Sequence, residues 1–81
     1  MFYLYILQSQ KDGSYYIGYS ANSQQRLLKH NNSRSGYTSR KKPWTLVYTQ
    51  AYATKTEAIK RERFIKAQKS RVFIEKLIAN N

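Results

Sequence analysis

The sequence predicts an α/β fold in which a three-stranded, mainly antiparallel sheet is flanked by three helices. Two segments rich in aromatic and β-branched residues enclose a turn signal, a third such segment follows a basic loop, and a capping pattern precedes each predicted helix. The resulting order β-β-α-β-α-α favours a small sheet covered by helices. Because 81 residues can bury only one hydrophobic core, we expect a single domain over residues 1–81.

The N-terminal half carries the signals of a β-hairpin followed by a helix. Residues 2–7 and 15–19 are the strand candidates, and the Gly-containing residues 11–14 predict the turn between them. Asn22 with Gln25 forms a capping-box pattern and predicts a helix through about residue 32. The segment from 33 to 43 combines Gly, Pro and four cations without hydrophobic periodicity, so we expect an exposed basic loop there.

The C-terminal half predicts one strand and two helices. Residues 44–49 and their continuation through 52 are typical of a strand, and Thr54 with Glu57 forms a second capping box, which predicts a helix to about residue 68. Ser70 can cap a last helix. Four apolar residues share one side of that helix, as expected for packing on a sheet: Phe73, Ile74, Leu77 and Ile78.

Charge and composition limit the range of possible functions. Fifteen Lys and Arg against four Asp and Glu give a formal net charge of +11, which indicates a polyanionic partner. The absence of cysteine and the single histidine exclude a disulfide framework, a thiol nucleophile and multi-His metal centres, and four carboxylates are too few for a two-metal nuclease site. The longest uncharged apolar stretch, residues 2–7, is too short for a membrane span or a signal sequence, so we expect a cytoplasmic protein without membrane association.

One carboxylate occupies an unusual position. On the helix predicted after Thr54, Glu62 falls in the middle of the apolar stripe formed by Ala58, Ile59 and Ile65. The sequence allows two interpretations. Glu62 either pairs with a neighbouring cation such as Arg61, Lys66 or Lys69, or it is a lone metal ligand.

The other candidate side chains are also open to two interpretations. Arg26 and His30 are spaced i,i+4, so they could grip one phosphate together or form a solvated cationic face with a surface histidine. Tyr5 and Tyr16 belong to a set of tyrosines on the hairpin that could pack the core, stack on bases or act as hydrogen-bonding catalytic groups. Composition does not choose among these roles.

Taken in order along the chain, these motifs resemble the GIY-YIG nuclease domain, and most strongly its small stand-alone bacterial branch. The segments that carry the resemblance are Tyr3-Leu4-Tyr5, Tyr15-Tyr16-Ile17-Gly18, Arg26 with His30-Asn31, Pro43-Trp44, and Glu57 to Glu62 with its continuation to Lys66. Each motif is short, but their joint order is specific and spans nearly the whole chain. The chain departs from the family at Tyr3, where the family name carries Gly, and it retains the functional tyrosine at Tyr5.

The resemblance implies a metal-dependent endonuclease that hydrolyses phosphodiester bonds, with DNA favoured over RNA, in repair, recombination or nucleic-acid processing. It implies that Tyr5 or Tyr16 works on the attacking water, that Arg26 binds the scissile phosphate, that His30 supports a tyrosine and that Glu62 holds one Mg²⁺ or Mn²⁺ ion. We assign the general base to Tyr5, because Arg26 and a metal ion would lower the pKa of its phenol. The exchange of roles with Tyr16 stays open. One carboxylate holds an ion weakly without substrate.

Substrate binding is assigned to further cations and one aromatic residue. The basic loop contributes Arg40, Lys41 and Lys42, which have no acid near them in sequence, and the remaining candidates are Tyr37, Lys66 and Lys69. Two other functions are compatible with the sequence: a non-catalytic nucleic-acid-binding module that stacks bases on Tyr15, Tyr19 and Tyr37, and a subunit that docks a protein partner. Such a partner would supply targeting. The sequence leaves the oligomeric state open.

Overall fold

The computed structural model describes residues 1–32 and 36–80, except for the side chains of Tyr37 and Thr38. It confirms the predicted α/β class and element order, and adds one short helical turn. The elements in chain order are β1 (Phe2–Ser9), β2 (Tyr15–Ser20), α1 (Ser23–Asn31), α2 (Tyr37–Arg40), β3 (Trp44–Tyr52), α3 (Lys55–Ala67) and α4 (Arg71–Ala79).

Strand β1 is the centre of an antiparallel sheet with the order β2-β1-β3. In the β1–β2 hairpin Tyr5 lies opposite Gly18 and Leu7 lies opposite Tyr16. Directly opposed residues project from the same face of a sheet, so these four residues share one face. Gly13 provides the positive φ of 78° that the hairpin turn requires.

The two faces of the sheet are covered by different helices. On the first face, Tyr5, Leu7 and Trp44 form a buried cluster against which Leu27 of α1 packs. The alternating residues of β1, Leu4 and Ile6, are fully buried on the second face. There the β2 side chain of Ile17, which lies opposite Ile6, shares a cavity with residues of α3 and α4. The edge strand β2 therefore lies where the two helical layers can meet.

Side-chain caps fix where the three longer helices begin. The side chains of Asn22, Thr54 and Ser70 each accept a hydrogen bond from the backbone N–H three residues further on, at 3.0, 3.3 and 3.1 Å. These bonds satisfy donors that a helix leaves unpaired in its first turn, and they confirm the predicted boundaries. Among the helices of residues 1–32 and 36–80, none combines the length and the apolar composition that a membrane span requires.

The predicted basic loop is more structured than expected. Residues 37–40 form the single turn α2, and Lys41 is held against the hairpin turn: its Nζ lies 2.5 Å from Asp12 Oδ2 and donates to Ser14 Oγ at 3.0 Å. The Lys41 ammonium holds the pKa of the Asp12 carboxyl well below its usual range. The sequence offers Lys41 no acid nearby, but the fold does. Its partner is 29 residues away in sequence and is brought near by the fold.

Candidate active site

The predicted catalytic side chains come together along the edge strand β2. A cavity of about 430 Å³ is lined by Tyr5 of β1, Tyr16 of β2, Arg26 of α1, and Glu62 and Lys66 of α3. Residues far apart in sequence thus converge because β1 and β2 form a hairpin and the helices flank it. The size falls in the range of small-molecule and substrate sites in proteins.

The ring of Tyr5 is fixed tightly in the wall of this cavity. Only 1% of Tyr5 is exposed, and its ring lies 6.4 Å from the ring of Tyr16, with an angle of 23° between the two planes. Gly18 leaves the space that the Tyr5 phenol occupies: a Cβ atom at Gly18 would lie 2.6 Å from the Tyr5 hydroxyl oxygen and 2.7 Å from Cζ. The glycine is therefore required for this close approach.

Burial dominates the acidity of Tyr5. Removal of the phenol from water raises its pKa above the ordinary value, and the nearby Arg26 guanidinium acts in the opposite direction without offsetting the burial. Arg26 lowers the pKa of Tyr5, as we expected from the sequence. Burial raises it by more, so the pKa of Tyr5 in the protein alone lies above its ordinary value. Tyr5 is consequently a neutral phenol at pH 7.

His30 lies behind Tyr5 and does not form part of a solvated face. It is 8% exposed, its Nε2 lies 3.4 Å from the Tyr5 hydroxyl oxygen, and its ring centroid is 4.6 Å from that of Tyr16. Burial lowers the pKa of His30, with further lowering from Arg26 and Lys29. The surface-histidine interpretation is therefore wrong. A neutral imidazole held against a phenol is suited to accept its proton, provided that Nδ1 carries the hydrogen and Nε2 the lone pair.

Arg26 supplies positive charge on the α1 side of the cavity, where His30 contributes no lining atoms. The pair does not share one surface, since Arg26 lines the cavity and His30 is turned towards the tyrosines. Within the described ranges the buried Nε of Arg26 has no hydrogen-bond partner. Buried donors without partners are uncommon in proteins, and an anionic ligand is one way to satisfy them.

Glu62 has features of both interpretations that the sequence allowed, the ion pair with a neighbouring cation and the lone metal ligand. Its side chain is 17% exposed, lines the cavity, and has Oε1 at 3.5 Å from Lys66 Nζ in an i,i+4 pair. Among the described residues it is the only carboxylate in the lining. The described parts of the chain contain no group of three or more His, Cys, Asp or Glu side chains that could enclose a metal ion. A cation bound here would have Glu62 as its protein ligand and would need water and substrate oxygens for the rest.

Sequence reasoning did not assign several of the residues that line this site, and two of them bear on its chemistry. Lys55, in the first turn of α3, also lines the cavity, and the spacing of 55, 62 and 66 at i, i+7 and i+11 marks one helix face that would have identified it. Gly18 was recognised as part of a motif, but its contact with Tyr5 depends on strand register, which no local pattern reveals. The described lining thus contains three cations to one carboxylate.

The residues assigned to substrate binding occupy several places. Lys66 lines the cavity, whereas Lys69 lies in the turn between α3 and α4 and lines a second cavity. Arg40 is the last residue of α2, and Lys41 and Lys42 follow it before β3. None of the three lines the cavity of the candidate active site. The side chain of Tyr37 lies outside the described part of the structure.

Comparisons with known proteins agree with this architecture. The chain is 46% identical over 65 residues to a UPF0213 protein of Staphylococcus saprophyticus, covering 79% of this chain and 78% of the relative. It is 37% identical over 78 residues to a UPF0213 protein of Halobacterium salinarum, covering 90% of this chain and all of the relative. A solution NMR structure of a UPF0213 protein from Bacillus halodurans matches all of this chain and 86% of that chain, with a TM-score of 0.64 and 33% identity.

A family model gives the broader assignment. Residues 1–76 match the model of the GIY-YIG catalytic domain, and this range includes every residue of the cavity described above. The match to this family model confirms that the sequence motifs are those of the GIY-YIG domain. This chain therefore belongs to the GIY-YIG nuclease family.

Proposed function

We propose that this protein is a metal-dependent endonuclease that hydrolyses phosphodiester bonds in nucleic acid, with DNA as the favoured substrate and a role in repair, recombination or processing. One observation carries the proposal: the side chains of Tyr5, Tyr16, Arg26 and Glu62 line the same cavity at the edge of the sheet. Phosphodiester hydrolysis needs a positioned water, a proton acceptor and positive charge beside the phosphate, and this set of side chains can supply each.

The proton of the attacking water leaves through Tyr5 and His30. The Tyr5 oxygen accepts the water proton while its own hydroxyl proton passes to His30 Nε2, 3.4 Å away, so the positive charge ends on the imidazole. Two shifts favour this order. The raised pKa of Tyr5 keeps a full phenolate from forming in advance, and the lowered pKa of His30 keeps the imidazole neutral and able to accept. Tyr16, beside both rings, orients the water or the phosphate.

Arg26 places its charge on the phosphate. As the water attacks, negative charge increases on the non-bridging oxygens, and a fixed guanidinium stabilises that distribution more than the ground state. The buried Nε that lacks a partner in the described ranges supports this assignment. Lys55 and Lys66 add positive charge to the same walls and favour a polyanionic ligand.

Glu62 is the residue that would hold one Mg²⁺ or Mn²⁺ ion. Its partly buried carboxylate fits a hard cation, and binding would replace the pairing with Lys66, which at 3.5 Å is long for a hydrogen-bonded ion pair. An ion held by Glu62 would supply positive charge that stabilises the departure of the leaving group. With one protein carboxylate, affinity depends on substrate oxygens, so Glu62 holds the ion weakly in the free protein.

Removal of single hydroxyl groups tests the proposal. Tyr5→Phe and Tyr16→Phe should each lower the single-turnover cleavage rate by about 10²-fold or more, the size of a general acid–base contribution, while nucleic-acid affinity stays close to that of the wild type. Tyr48→Phe is the matched control, because the Tyr48 hydroxyl bonds Gln50 on the exposed part of β3 and does not line the cavity. Wild-type rates in both site variants, measured with Mg²⁺ on linear and branched DNA, would rule out this mechanism.

A further inference from the structure

A second cavity lies beside the candidate active site and has no part in the proposed chemistry. Its volume is about 420 Å³, and its apolar wall consists of Ile17 of β2, Ile65 of α3 and Ile74 of α4. Tyr15 adds an aromatic ring from β2. This combination of size and apolar surface is typical of a site that takes up a planar organic group.

The remaining wall of the second cavity is strongly basic. Lys66, Lys69 and Arg71 line it, and the Arg71 guanidinium lies 4.8 Å from the centroid of the Tyr15 ring. Within the part of the chain that the structure describes, no carboxylate contributes to the lining. An aromatic ring covered by a guanidinium offers planar surfaces on which a nucleobase can stack, and the lysines offer charge for its phosphates.

The two cavities are neighbours. They share Ile17 and Lys66, so a ligand that fills the first can continue into the second without leaving the protein surface. Lys66 pairs with Glu62 at 3.5 Å and lines the second cavity together with Lys69. A chain with regularly spaced phosphates, each followed by a planar group, fits this succession of charged and apolar surfaces.

We propose that the second cavity binds the base of an unpaired nucleotide that flanks the scissile phosphate, with Lys66 and Lys69 on the adjoining phosphates. This inference rests on the proposed nuclease function and adds its substrate class: nucleic acid with a single-stranded segment next to the cut. A base inside a duplex offers the protein only its edges. Insertion between isoleucines and an aromatic ring requires the base to be unstacked and unpaired.

The backbone of Lys69 provides a second, independent indication. Lys69 has φ of 47°, the left-handed region that glycine adopts at less cost, and it is the only non-glycine residue with positive φ in the described ranges. A lysine at this helix end makes the fold less stable than a glycine would, but it places a cation at the cavity. Lys69→Gly should therefore raise the melting temperature and weaken nucleic-acid binding together, whereas a lysine without a ligand role would change only the melting temperature.

The test compares two DNA probes that differ only in one base. Both are duplexes with a short single-stranded overhang, prepared with 3′ and 5′ polarity, and in one probe the first unpaired nucleotide is abasic. Anisotropy titrations in EDTA measure affinity without cleavage. With the wild-type protein the abasic probe of one polarity should bind about fivefold more weakly or worse, the lower end of what stacking a base contributes. Tyr15→Ala should remove that difference, because it removes the stacking ring.

The controls separate this inference from the nuclease proposal. Lys60→Ala removes the same charge from α3 at a residue that lines neither cavity, and it should weaken binding less than Lys69→Gly. Equal affinities of the wild type for abasic and complete overhangs of both polarities would overturn the subsite, even if cleavage is normal. A base-dependent difference that the wild type shows and Tyr15→Ala loses would support the subsite, and if the wild type also fails to cleave DNA, the nuclease function alone would be refuted.

Discussion

Gly18→Ala tests whether the close approach of β2 to Tyr5 is required for activity. The new methyl carbon would lie 2.6 Å from the Tyr5 hydroxyl oxygen and 2.7 Å from Cζ, well inside van der Waals contact. Tyr5 is 1% exposed and packed with Leu7 and Trp44, so turning the ring away from Gly18 would disrupt that packing. The substitution must move the phenol, the backbone of β2, or both.

The magnitude follows from these distances. Overpacking of a close-packed core costs about 1–3 kcal/mol of unfolding free energy, and we expect Gly18→Ala to fall in that range. The effect on catalysis should be larger, because displacement of a reacting group by about 1 Å can lower a rate about 10²-fold. The variant should therefore remain folded at room temperature while its single-turnover cleavage rate falls by about two orders of magnitude.

The assay combines urea unfolding with single-turnover cleavage, and Gly36→Ala serves as the control. Gly36 has φ of 84° and ψ of −173°, a conformation almost restricted to glycine, so its substitution costs a similar amount, about 1–3 kcal/mol. Among the atoms that the structure describes, none outside the neighbouring residues lies within 4 Å of the new methyl group. Gly36→Ala should lose stability and keep its cleavage rate. The double variant Tyr5→Phe/Gly18→Ala should be less destabilised than the sum of its single changes, because the nearest clashing atom is gone.

Wild-type stability and cleavage in Gly18→Ala would refute this reasoning, since they would mean that the phenol is free to move. A rate loss in Gly36→Ala equal to that in Gly18→Ala would also refute it. In that case lower stability alone, and not the position of the Tyr5 hydroxyl, would limit the reaction.

Three further predictions concern the charged groups. Arg26→Ala should lower the single-turnover rate more than the affinity, and an affinity loss with an unchanged rate would contradict its role beside the reacting phosphate. Because the pKa of His30 is lowered in the folded protein, its neutral form contributes fully to stability above pH 6.5, and this contribution is lost as the pH falls through the folded-state pKa. His30→Gln should therefore flatten the dependence of unfolding free energy on pH in that window, as measured by urea unfolding. Arg40→Ala/Lys42→Ala should reduce the slope of log affinity against log salt concentration for duplex DNA by roughly 0.9 for each phosphate that the protein no longer neutralises. The cleavage rate at saturating substrate should be retained. Identical slopes for the variant and the wild type would exclude a role for these cations in binding.

Local patterns were sufficient to predict the architecture and five of the residues that line the candidate active site: Tyr5, Tyr16, Arg26, Glu62 and Lys66. Alternation and capping residues depend on neighbours within a few positions, which is why the strand and helix boundaries could be predicted from sequence. The position of Glu62 in an apolar stripe also follows from helical periodicity, and the structure places that carboxylate in the cavity.

Features that depend on distant residues could not be predicted in this way. The pairing of Lys41 with Asp12 and the close approach of Gly18 to Tyr5 both arise from strand register and chain reversal. The upward shift of the Tyr5 pKa is of the same kind, because burial depends on the packing of several elements around the phenol and outweighs the single neighbouring charge of Arg26.

Metal-dependent cleavage by Glu62→Gln tests the central claim most directly. The substitution preserves shape and removes the carboxylate that lines the cavity, while Glu57→Gln removes the same charge from the first turn of α3 and keeps a residue that is suited to the capping box. With Mg²⁺ and branched or linear DNA, we predict that Glu62→Gln binds nucleic acid and does not cleave it, whereas Glu57→Gln cleaves at the wild-type rate. Undiminished Mg²⁺-dependent cleavage by Glu62→Gln would contradict the account.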